Sequence, residues 1–171
     1  MLSYIKKHTS ENVRNLLGLL RGSLKELSGE NEMHNMNKVQ MLDFPQRGDE
    51  RGHLVIVEGE KDIPFAIKRA FYIFGSDKNV VRGQHANRLS EFVLINLAGQ
   101  SKVKVKDGEG NEAIYCLNRP HTGIYLPTMV WKDMYDFSPD SVLLVFASTY
   151  YDADEYIRDY NEFVKEIQNK P

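Results

Sequence analysis

Five histidines are present, and one of them, His85, stands in a setting suited to moving protons. It lies in the run Arg82-Gly83-Gln84-His85-Ala86-Asn87, continued by Arg88-Leu89-Ser90-Glu91-Phe92. An imidazole exchanges protons near neutral pH, so a histidine held on a rigid strand is a natural acid/base. In an extended strand Gly83, His85 and Asn87 share one face, and a glycine there leaves room for a ligand. The other histidines have weaker claims. His8 and His34 fall in a tail and a polar linker, His53 on an early strand, and His121 in a turn after Pro120. The spacing His85-x-Asn87-x-x-x-Glu91 echoes a metal-binding barrel motif, but asparagine is a poor ligand for transition metals. No metal and no cofactor is expected.

Around this histidine the sequence supplies groups for an anionic, partly aromatic ligand. Arg51, Arg69, Arg82 and Lys132 are candidate partners for phosphate. The aromatics Phe71, Tyr72, Phe74, Phe92, Tyr125, Trp131, Tyr135 and Phe137 are mostly expected in a core, with some lining a mouth where a base can stack. Tyr72 and Tyr135 also bring hydroxyls that can hold or protonate a sugar oxygen. Asn87 exchanges no proton near pH 7, but its amide can hold a ligand oxygen.

The elements that position these residues read as short strands. From Lys38 the apolar pattern has period two. Strands are expected over residues 39–42, 51–58, 66–74, 79–86, 91–97, 101–106, 114–117, 123–126, 130–135 and 141–147. Residues 45–49 read as a turn, and Asp107-Gly108-Glu109-Gly110-Asn111 as a hairpin turn. Eight to ten short strands separated by turn signals point to an all-β sandwich, jelly roll or small barrel. At the C-terminal end Asp152 is the expected helix cap. Tyr156, Ile157, Tyr160, Phe163, Val164 and Ile167 form an apolar stripe that would lie on the outside of the barrel. Residues 1–37 differ. Ser10 can cap a helix carrying Val13, Leu16, Leu17, Leu20, Leu24 and Leu27, ending near Ser28-Gly29, and residues 30–37 read as a linker. The expected organisation is an N-terminal helical extension over 1–37 and a barrel domain with a C-terminal helix over 38–171.

The whole chain agrees with this class. At 171 residues it can bury a core without disulfides or a structural metal. With 22 basic against 24 acidic residues, no charge surplus points to nucleic acid. The single cysteine, Cys116, forms no internal disulfide, is expected as a small buried hydrophobe, and suits a cytoplasmic location. No stretch approaches the length of a transmembrane helix.

Several segments together resemble a known family, the cupin-type nucleotide-sugar 3,4-ketoisomerases. They are Arg51-Gly52; Ile63-Pro64-Phe65-Ala66-Ile67-Lys68-Arg69; Tyr72-Ile73-Phe74; Arg82-Gly83-Gln84-His85-Ala86; Trp131-Lys132-Asp133-Met134-Tyr135-Asp136-Phe137-Ser138; and Ala147-Ser148-Thr149-Tyr150-Tyr151-Asp152, with Tyr156-Ile157-Arg158-Asp159-Tyr160 beyond. The resemblance implies a cupin (jelly-roll) barrel, a homodimer with an exchanged N-terminal strand, no metal, and a dTDP-linked 4-keto-6-deoxyhexose as substrate. It also implies proton abstraction at C3, an enediol(ate), and reprotonation at C4. His85 matches the family's first motif histidine and inherits the base role; Tyr72 and Arg82 match pocket positions. The family pattern is His-Ala-His with a Gln five residues on, where this chain has Asn87 and Phe92. A related nucleotide-sugar epimerase and a non-catalytic sugar-nucleotide-binding or scaffold protein of polysaccharide assembly stay open as alternatives.

Overall fold

The alternating segments pair almost entirely as antiparallel strands. A computed structural model describes residues 35–169 of the chain. After a 3-10 turn at Asn35–Lys38 come β1 (Gln40–Asp43), β2 (Gln46–Asp49), β3 (Gly52–Val55), β4 (Arg69–Phe74), β5 (Arg82–Asn87) and β6 (Phe92–Ala98). They are followed by β7 (Ser101–Lys106), β8 (Glu112–Leu117), β9 (Thr122–Leu126), β10 (Trp131–Tyr135), β11 (Val142–Ala147), β12 (Tyr156–Ile157) and helix α1 (Tyr160–Gln168). The helix expected within residues 10–29, and the linker as far as residue 34, lie outside the described residues.

Two five-stranded sheets form, in the orders β1-β9-β6-β11-β4 and β12-β5-β10-β7-β8, beside a two-stranded ribbon of β2 and β3. From β5 to β11 the chain passes repeatedly between the sheets, which is the jelly-roll arrangement of the all-β class. The sheets enclose one core. Phe92, Leu94, Ile124, Leu126, Leu143 and Val145 face Val103, Val105, Leu117 and Met134, all buried. Strand β7 shows how the sequence specifies this. Ser101, Val103 and Val105 are buried, while Lys102, Lys104 and Lys106 point the other way. On that outer face Lys102 pairs with Asp136 at 2.9 Å and Lys104 with Asp133 at 3.5 Å.

Each sheet's outer face has its own cover. Phe44, Ile63 and Phe65 pack on Val93, Ile95 and Tyr125 of the first sheet. Helix α1 covers the second, burying Phe163 against Ala86, Met129, Trp131 and Ile157. Arg88 ties the helix to β5: its Nε donates to Glu166 at 3.0 Å and its Nη1 to the Asp154 carbonyl at 2.9 Å.

Some expectations are corrected. Residues 46–49 are a strand rather than part of a turn; the chain reverses over residues 50–51, with Gly52 at φ 125°. The helix is capped by Asp159, whose carboxylate accepts from the Glu162 N–H at 2.9 Å. Asp152 instead accepts from the Asp154 N–H in a local turn, and Tyr156–Ile157 extends the second sheet at the edge of β5. Cys116 is exposed, because β8 turns it outward while Leu117 points in. Tyr72 and Phe74, two of the aromatics expected mostly in a core, are 65% and 66% exposed on the outer face of β4.

Candidate active site

The site is built where β5 meets β10. Lys132 lies opposite His85, yet Asp133 lies opposite Gly83, so Gln84 has no partner and the strand bulges. Gly83 and Gln84 both take positive φ, 84° and 53°. A Cβ on Gly83 would sit 2.7 Å from the Lys132 carbonyl oxygen. The glycine therefore serves the close approach of two backbones, where the strand pattern suggested ligand room.

The bulge gives His85 its partner. Its Nδ1 lies 2.9 Å from the Gly83 carbonyl oxygen. A carbonyl can only accept, so Nδ1 carries the hydrogen and Nε2 keeps a lone pair in the neutral ring. Burial, and next the Lys132 charge, push the imidazole down to about 4. His85 is therefore an unprotonated base at neutral pH. The Tyr156 ring stands 4.8 Å away, centroid to centroid.

Lys132 enters the same space from β10. It is 5% exposed, and its Nζ donates to Asn87 Oδ1 at 2.6 Å and lies 4.7 Å from the Phe92 ring centre. Burial pushes the ammonium down to about 7, against a smaller opposing pull from Glu155. Asn87 is 1% exposed, and its Nδ2 is buried without a hydrogen-bond partner among the described residues. His85 and Lys132, with Phe71, Phe92, Met134 and Tyr156, line a cavity of about 90 Å³ between the sheets. Its walls are otherwise apolar, so charge placed there is poorly screened.

Arg69 sits one ring away. Its guanidinium lies 5.4 Å from the Phe71 ring centre and 5.5 Å from that of Tyr151, and its Nε and Nη2 are buried without partners among the described residues. Arg82 opposes Met134 in the β5–β10 register and donates from Nε to Ser76 Oγ at 2.8 Å.

The structure thus brings together His85, Asn87 and Lys132, with Arg69 beside a wall of their cavity. It does not bring Trp131, Tyr135, Tyr72 or Arg51 there. Trp131 and Tyr135 alternate with Lys132 and Met134 onto the outer face of β10. Trp131 packs edge-on to Tyr160 at 5.1 Å under α1. Tyr72 points out of β4 beside Phe74, and Arg51 pairs with Asp49 at the end of the β2–β3 ribbon. No three His, Cys, Asp or Glu side chains converge among the described residues; Glu91 instead accepts from the Tyr125 hydroxyl.

Two site residues escaped sequence reasoning. Tyr156 read as part of a helical stripe. Glu155 lies three residues after the expected cap Asp152, yet it is 3% exposed and accepts from the N–H groups of Ser90 at 2.8 Å and Leu89 at 3.1 Å, and from Ser90 Oγ. A carboxylate shared among backbone donors 65 and 66 residues away in the chain leaves no sequence periodicity to find.

The chain is similar to known proteins over most of its length. The family model described as "FdtA: WxcM-like, C-terminal" matches residues 37–168. The TDP-4-oxo-6-deoxy-alpha-D-glucose-3,4-oxoisomerase of Aneurinibacillus thermoaerophilus is 44% identical over 131 residues, covering 77% of this chain and 92% of that protein. Among solved structures, a variant of the 3,4-ketoisomerase QdtA from Thermoanaerobacterium thermosaccharolyticum, in complex with TDP-4-keto-6-deoxyglucose, superposes with a TM-score of 0.75 at 41% identity, covering 77% of this chain and 95% of that one. A 3,4-ketoisomerase from Helicobacter canadensis gives 0.74 at 39% identity, covering 77% and 98%. The chain shares a cupin-like jelly-roll fold and much of its sequence with these proteins, and it belongs to the FdtA (WxcM-like, C-terminal) family.

Proposed function

We propose that the protein is an isomerase that converts a TDP-linked 4-keto-6-deoxyhexose to its 3-keto isomer. The observation that carries this is His85, a neutral imidazole whose free Nε2 belongs to a ring lining an apolar cavity, in a chain 44% identical to a 3,4-oxoisomerase. The C4 carbonyl acidifies the hydrogen on C3. His85 Nε2 takes that proton, an enediolate forms, and the imidazolium returns the proton at C4. Through the transfer Gly83 holds Nδ1–H, so the ring keeps its orientation in both protonation states. Arg69, with two unpartnered guanidinium nitrogens beside the cavity, is suited to the diphosphate.

The reading extends to a homodimer with an exchanged N-terminal strand. It is supported by the β2–β3 ribbon, which forms a sheet of its own, and by the exposed Tyr72 and Phe74. In such a dimer Arg51 and Tyr72 would meet a second copy rather than their own cavity. The exposed single cysteine accords with a cytoplasmic location. No helix among the described residues is long and apolar enough to cross a membrane.

Proton NMR of dTDP-4-keto-6-deoxyglucose in deuterated buffer tests the reading. Wash-out of the C3 signal with appearance of a 3-keto product is expected, and both should vanish in His85→Asn. Wash-out without that product would indicate an epimerase. Nucleotide binding with no wash-out would indicate the non-catalytic role that Asn87, lacking an imidazole, otherwise favours.

A further inference from the structure

Asn87 poses a chemical problem. Moving a ketone from C4 to C3 breaks a C3–H and an O3–H bond and makes a C4–H and an O4–H bond. One imidazole can carry the carbon proton. The oxygen proton needs a second carrier, and a carboxamide cannot be one near neutral pH.

We propose that Lys132 is that carrier, shuttling a proton between the two substrate oxygens while His85 shuttles the carbon proton. The inference rests on the ketoisomerase reading above. Its basis is geometric. Lys132 lies directly opposite His85 in the β5–β10 register, and both side chains line the cavity. Its Nζ is anchored by a single hydrogen bond, 2.6 Å to Asn87 Oδ1, and no carboxylate among the described residues pairs with it. That leaves the remaining ammonium hydrogens for a ligand. Asn87 then has a defined part: it accepts one hydrogen from Lys132 and aims the rest. A lysine placed so deep, against the face of Phe92, is also held where it can lose a proton near neutrality.

The sequence of transfers balances. As His85 removes the C3 proton, the Lys132 ammonium gives a proton to O4, turning the carbonyl into an enediol. The resulting amine takes the O3 proton as the C3 carbonyl forms, and the imidazolium delivers its proton to C4. Both groups end as they began. The charged and titratable groups facing this pair are few. Glu155 precedes β12 and is occupied by Ser90 and Leu89. Arg158 follows β12, its guanidinium 4.7 Å from the Tyr156 ring centre. Tyr156 itself closes one side of the cavity.

The test compares wild type, Lys132→Arg and Lys132→Met with dTDP-4-keto-6-deoxyglucose in deuterated buffer, following C3 wash-out and 3-keto product separately. Arginine keeps the positive charge but gives up no proton in this range. A shuttle role predicts that Lys132→Arg still washes out C3 within about tenfold of wild type, while product formation drops by about 10²–10⁴-fold. Lys132→Met should lose both. Product formation by Lys132→Arg within about tenfold of wild type would overturn the shuttle and leave only a charge or packing role. A folding defect in the variants is bypassed by NMR of wild type carrying ¹³Cε-lysine. One lysine should titrate near neutrality and shift on binding the TDP-sugar; titration of every lysine above about pH 9.5 would overturn the proposal. Wild type with neither wash-out nor product would sink the ketoisomerase reading itself. Active wild type with an active Lys132→Arg would sink only the lysine.

Discussion

Replacing Lys132 by methionine should make the protein more stable at mildly acid pH, and the gain should disappear on the alkaline side. The folded chain holds this lysine at about 7 rather than the ordinary 10.5 because burial penalises the ammonium. A gap of that size corresponds to about 5 kcal/mol against the charged form in the folded state. Since the folded value is the lower one, the penalty is complete below it and lifts as pH climbs toward the unfolded value. Lys132→Met removes the titration altogether. It also leaves Asn87 Oδ1 without its donor, a cost of about 1–3 kcal/mol that does not change with pH. At about pH 6 the variant should therefore be about 2–4 kcal/mol more stable than wild type. At about pH 9.5 it should be level or slightly worse, because wild type regains about 3 kcal/mol over that interval. Urea unfolding at matched ionic strength, with equal m-values checked at each pH, reads this directly. In wild type His85 titrates well below the window. A stability difference that stays flat between these pH values, or a variant already weaker at pH 6, would refute the buried, depressed ammonium. It would remove the physical support for Lys132 as a proton carrier.

Two further outcomes are expected. The kcat/KM of the isomerisation should rise as pH passes about 4, where His85 becomes a free base, and fall past about 7, where the Lys132 ammonium is lost; a profile flat from pH 5 to 9 in stopped assays would contradict the two-group assignment. Arg69→Met should raise KM for the TDP-sugar by roughly 10–100-fold with little change in kcat, because a charge-assisted contact to diphosphate is worth about 1.5–3 kcal/mol. Steady-state kinetics separate that from a loss confined to kcat, which would place Arg69 at the reacting carbons instead.

Much of this molecule is legible in its sequence. Strand β7 reads off its Lys-Val alternation because one face is dry and the other wet. His85 stood out because few side chains move protons at pH 7. What alternation could not say was which face of β10 looks inward. Trp131 and Lys132 are adjacent, and alternation lets only one of them face the pocket. In the fold α1 packs on the tryptophan and the lysine faces the cavity. Nor could it place β12. Tyr156 and Ile157 continue the spacing of the helix that follows, and only the edge of β5 pulls them into a sheet. The contact between Lys132 and Asn87 spans 45 residues, so no local pattern could announce it.

That bulge has a consequence for the solution behaviour of the protein. Strand β12 covers only Ala86 and Asn87 of β5, leaving Arg82 to His85 at the border of the sheet. A regular strand there would offer its free amides and carbonyls as a template for another chain to add to. Two successive residues with positive φ break that template, and the Gly83 carbonyl is turned to the His85 ring. The distortion that aims the imidazole also makes this border a poor seed for aggregation. Substitutions at Gly83 or Gln84 that straighten the strand should cost colloidal solubility as well as activity.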